Sequence, residues 1–71
     1  MIKAGQIFED KDNFRFVITL YSPVDIYIIY NNGSCCKFSR KDFDYLDYKF
    51  ITDYPTWQEA VNSKEFKVGE K

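Results

Sequence analysis

Along the first half of the chain, apolar and polar residues alternate with the period of extended backbone. Phe14, Phe16, Ile18 and Leu20 fall on one face of residues 14–21, and Arg15, Val17, Thr19 and Tyr21 on the other. These are mostly β-branched and aromatic types, which favour strands. Before them, Gly5 leads into a short strand over residues 6–9, and Asp10-Lys11-Asp12-Asn13 reads as a turn. Ser22-Pro23 ends the second strand, because proline has no N–H for a ladder. Residues 24–30 form a third strand. Asn32-Gly33 predicts a two-residue type I′ turn into a fourth strand over residues 35–38.

That turn fixes a register in which Tyr30 faces Cys35, Ile29 faces Cys36, Ile28 faces Lys37 and Tyr27 faces Phe38. Tyr27, Ile29, Cys36 and Phe38 then share one face. Ile26, Ile28, Tyr30, Cys35 and Lys37 share the other. Both faces are apolar, so one is surplus to a single core.

The second half carries helix signals. Ser39 is placed to cap a helical turn running through Phe43 and Leu46. Residues 48–54 fit either a helical stripe or an alternating strand. Pro55 pushes Tyr54 toward extended geometry and favours the strand. Thr56 and Glu59 form a capping box for a helix over about residues 56–63, with Phe66 and Val68 returning to the sheet. Five strands and one short C-terminal helix predict a mainly β fold, a small SH3-like five-stranded antiparallel barrel, as one domain over residues 1–71. An OB-like barrel usually needs a longer chain.

Composition sharpens this. The 71 residues include seven Phe, six Tyr and one Trp, so a small core is built from a few large rings. The phenylalanines are expected to fill it, with several tyrosines at its boundary. There is no histidine, which removes the commonest general base and metal ligand. Cys35 and Cys36 are adjacent, point to opposite faces of a strand, and are expected to be free thiols in a reducing cytoplasm. No catalytic constellation, metal or cofactor is expected. From Asp10, the sixth and twelfth positions of a calcium loop would be Arg15 and Tyr21, which do not fit one. No secretory signal or membrane-spanning apolar run is read in the sequence.

The net charge of −1 gives no global attraction to nucleic acid or lipid. The surplus face must be covered either by the C-terminal helix, through Trp57, Ala60 and Val61, or by a partner or second copy. A partner surface is expected at Ile26, Ile28, Tyr30 and Lys37, with Tyr45 or Tyr48 nearby. The alternatives are a nucleic-acid surface at Arg15, Lys37, Arg40 and Lys41, opposed by neighbouring Asp42, Asp44 and Asp47, and a homo-oligomeric sponge whose tyrosines hold a small signalling molecule. Local mimicry of nucleic acid by Asp42, Asp44, Asp47 and Asp53 is a further option.

Two stretches carry a resemblance. Residues 50–66, with Thr56-Trp57-Gln58-Glu59-Ala60-Val61-Asn62-Ser63 after an aromatic-ended strand and then Glu65-Phe66, resemble a tail found in small proteins of bacteriophages and prophages of Gram-positive bacteria. Lys3-Ala4-Gly5-Gln6-Ile7-Phe8-Glu9-Asp10, running into Phe14-Arg15-Phe16-Val17-Ile18, looks like the opening of SH3-like barrels in such proteins. The resemblance covers about half the chain and brings no catalytic residue. It implies an accessory protein in the host cytoplasm that binds and inhibits or modulates a host protein, of the kind exemplified by anti-defence factors such as anti-CRISPRs.

Overall fold

The computed structural model describes residues 2–67. The strands are β1 (Gln6–Asp10), β2 (Arg15–Tyr21), β3 (Asp25–Tyr30), β4 (Cys35–Ser39) and β5 (Tyr48–Asp53). A single turn, α1 (Arg40–Phe43), separates β4 from β5, and α2 (Trp57–Val61) and α3 (Lys64–Lys67) follow. All five strands pair antiparallel in one sheet of order β4-β3-β2-β1-β5, so the fold is mainly β as expected. Residues 48–53 are a strand. Val68, expected to return to the sheet, lies outside the described residues.

The elements begin and end for local reasons. The Asp10 carboxylate accepts from the Asp12 and Phe14 amides, at 2.9 and 3.0 Å, and so holds the first turn. The Ser39 hydroxyl accepts from the Asp42 amide at 3.0 Å and starts α1. The Thr56 hydroxyl accepts from the Glu59 amide at 3.2 Å. The Glu59 carboxylate accepts a hydrogen bond from that hydroxyl at 3.3 Å, rather than from the Thr56 amide as in a full capping box.

The sheet is curled around Phe43. In a flat sheet, four strand spacings would separate β4 from β5 by about 19 Å. Yet the Phe43 ring centre lies 6.4 Å from Phe38 of β4 and 4.8 Å from Tyr48 of β5. It also meets Phe8 and Phe16 edge-on, at 6.2 and 6.1 Å. Phe43 has no exposed surface and closes an interior made by Phe8, Phe16, Ile18, Ile26 and Ile28. The opposite face of the sheet holds a second, smaller core. There Ile7 and Val17 are covered by Ala60 of α2 and Phe66 of α3, with Trp57 and Val61 alongside.

The hairpin departs from the expected register by one residue. The Tyr30 amide donates to the Ser34 carbonyl at 2.7 Å, and the loop holds three residues, Asn31, Asn32 and Gly33, with Gly33 at φ +93°. This is a turn closed by a left-handed glycine, not the two-residue turn. Ile28 therefore pairs with Cys36 and Ile26 with Phe38. A slip of one residue exchanges the faces of a strand. Cys36 and Phe38 join Ile26 and Ile28 inside, while Cys35 and Lys37 join Tyr27 and Ile29 on the opposite face.

A second departure is in β2. Its pairing with β3 shifts between Ile18 and Leu20, so Leu20 opposes Tyr27 and leaves the face of Phe16 and Ile18. The phenylalanines divide as well: Phe8, Phe16, Phe43 and Phe66 are buried, whereas Phe14 and Phe50 are exposed.

Gly5 and Gly33 have similar positive φ but different surroundings. A Cβ on Gly5 would overlap the Tyr54 carbonyl, whereas one on Gly33 meets nothing. Gly5 also donates to Ile18 and accepts from Tyr54, tying β1 to both its neighbours. Gly33→Ala is expected to cost about 1 kcal/mol, from backbone strain alone. Gly5→Ala is expected to cost about 3 kcal/mol or more, through strain and overlap together. Phe43→Ala is expected to cost about 3–5 kcal/mol, most of the stability of a domain this size. Urea unfolding of the three variants measures the ranking.

Candidate functional site

The shifted register decides where the expected partner residues stand. Ile26 and Ile28 are 1% and 2% exposed, inside the core, and present nothing to a partner. Tyr30 is half-buried against Phe16, with ring centres 5.6 Å apart. Tyr48 is half-buried against Phe8 and Phe43, while Tyr45 is exposed on the loop before β5. Lys37 is on the other face of the sheet. The six residues therefore do not form one surface. The surplus apolar face is the opposite one.

On that face α2 and α3 cover β1 and β2 and reach Ile29 of β3, leaving the rest of the outer hairpin open. Beyond Trp57 an open groove of about 580 Å³ is lined by Thr19, Leu20, Tyr27, Ile29, Cys35 and Lys37. Leu20 is 64% exposed there, and Tyr27 is exposed beside it. The Thr19 hydroxyl donates to the Tyr27 carbonyl at 3.3 Å, across the bulge that delivers Leu20. Lys37 is the one charged side chain in the lining. Leu20, Tyr27 and Trp57 were not among the expected site residues. Asn31-Asn32-Gly33 also fits a three-residue loop, and that reading places Tyr27, Cys35 and Lys37 together. No residue type marks the bulge at Thr19.

The groove runs beside a free sheet edge. The 30–34 pair is hydrogen-bonded, and the Arg40 amide donates to the Val24 carbonyl at 2.9 Å. Alternation in an antiparallel ladder then makes 28–36 and 26–38 the hydrogen-bonded pairs. The amides and carbonyls of Cys35 and Lys37 thus point away from β3, and no strand among the described residues pairs with that side of β4. The side chains lining the groove and the outward backbone groups belong to the same two residues.

The four cations of the alternative nucleic-acid surface are dispersed. Arg15 Nε donates to the Glu9 carboxylate at 3.2 Å, and Arg15 Nη1 donates to the Glu65 carbonyl at 2.6 Å. Arg40 Nη1 donates to the Ser22 carbonyl at 3.3 Å. Lys41 sits on α1 and Lys37 in the groove. Glu65 also accepts from the Tyr54 hydroxyl, so Arg15 and Tyr54 together fasten α3 to the sheet. Among the described residues no three acidic or cysteine side chains are placed to hold a metal ion, and no helix is long and apolar enough to cross a membrane.

Comparison with protein-family models, with curated proteins and with solved structures gave no match.

The contacts of Glu9 give a pH dependence. Hydrogen bonds from Arg15 and then Lys49 hold its carboxyl below the ordinary carboxylate range. A depressed carboxylate contributes stability above its unfolded value, about 4.3, and loses it as pH falls through the lower folded value. Urea midpoints measured from pH 7 to pH 2.5 should fall on the acid side. Glu9→Gln should lower the neutral-pH midpoint and make that acid limb shallower.

Proposed function

We propose that this chain is a small protein-binding module that inhibits or modulates its target, as the resemblance to bacteriophage proteins implies. It takes an extended, largely apolar segment of that target along the outer edge of β4. The observation carrying this reading is the coincidence of groove and edge at Cys35 and Lys37. A segment added as a sixth strand gains backbone hydrogen bonds from these residues, and every second side chain of it enters the groove. Lys37, alone among apolar neighbours, calls for an acidic residue in that segment. The mechanism is occlusion by a preformed surface, and no chemistry is required of the module.

The Lys37 amide serves no bond within the sheet, so proline there spares the fold and removes an edge donor. Peptides selected from a random display library on the native protein should alternate apolar residues with an Asp or Glu. Lys37→Pro should weaken their binding about tenfold or more, Lys37→Ala less, with unfolding midpoints near the native value. Trp57, the only tryptophan, lines the groove and should change its emission on binding. Peptides that bind Lys37→Pro as tightly as the native protein, or leave Trp57 unchanged, would overturn the reading. So would a solution mass of twice 8.5 kDa lost in the same variant, which makes a second copy the occupant.

A further inference from the structure

The interior face of the sheet opens at one end, between the β1–β2 turn and the loop from α1 to β5, into a pocket of about 240 Å³. Tyr30 and Tyr48 form its walls, Phe16 lies at its base, and Tyr45 stands at its mouth. Tyr30 and Tyr48 are held by edge-on packing against Phe16, at 5.6 and 6.2 Å, so their rings are fixed before any ligand arrives. Tyr45 is 81% exposed, and among the described residues no other ring packs on it.

The charges around the pocket have one prevailing sign. Asp10, Asp12 and Asp47 line it against the single ammonium of Lys11. These carboxylates surround the opening and do not converge on a point, since no three of them are placed to hold a metal ion. Burial, and then the nearby carboxylates of Asp10 and Asp44, push the Tyr30 and Tyr48 hydroxyls above the usual phenol range. Aromatic faces attract cations, and a negative surround adds long-range attraction.

We infer that this pocket binds an organic cation, a guanidinium or alkylammonium head group seated among Tyr30, Tyr45 and Tyr48 beneath the acidic rim. The volume is ample for one such head group. The site is on the opposite face from the β4 groove and is independent of it.

The test uses two charged probes and their neutral isosteres at matched ionic strength. Choline is paired with 3,3-dimethylbutan-1-ol, and N-acetyl-arginine amide with N-acetyl-citrulline amide. In NMR titrations at least one cation should shift the resonances of Tyr30, Tyr45 and Tyr48, while its isostere does not. Trp57 emission should not change. Tyr45→Leu keeps an apolar side chain but removes the ring, and should weaken the cation about threefold to tenfold without moving the unfolding midpoint. Asp47→Asn should weaken it too. Binding of the arginine amide alone identifies a basic segment of another protein as the source, and binding of choline a free or methylated amine. The inference is overturned if neither cation binds, if isosteres bind equally well, if the shifts fall outside the pocket, or if Tyr45→Leu binds as the native protein does.

Discussion

Phe43 reaches the centre of the interior on a helix of four residues, and that helix starts because the Ser39 hydroxyl satisfies one of its first amides. Its ring then meets side chains from β1, β2, β4 and β5 at once. The outermost strands share no hydrogen bonds, so the curl of the sheet is maintained by aromatic packing across the gap. With closure provided by a side chain, β4 keeps one side of its backbone unpaired. The open edge is thus a result of how the core is closed.

The second core follows from the same economy of length. One layer of aromatics cannot bury both faces of five strands, so α2 and α3 are laid across Ile7 and Val17. Arg15 and Tyr54 fasten the end of this cover through Glu65. Two short helices reach across β1 and β2 as far as Ile29 of β3. The groove begins where their cover ends, with Trp57 as its boundary.

Much of the fold was legible because local signals agreed. β-Branched and aromatic alternation marked β2 and β3, Pro55 argued for β5 as a strand, and Ser39 and Thr56 marked the two caps. The open groove beside β4 was not legible, and two single-residue events explain why. A loop of three residues in place of two exchanged the faces of β4, sending Lys37 away from Ile26 and Ile28. A bulge beside Thr19 moved Leu20 to the opposite face, and bulges have no residue signature that alternation reveals. Alternation shows that both faces of the hairpin are apolar. Which face stays open depends on these two events.

The place of β1 in the sheet has a consequence for synthesis. This strand lies between β2 and β5, and its second neighbour is made some forty residues later. Phe43 and Phe66, which complete the two cores, also come after the hairpins they cover. A growing chain therefore carries β1 with one side unpaired until β5 has been made. Completing the sheet therefore depends on long-range pairing, which forms more slowly than pairing between neighbouring strands.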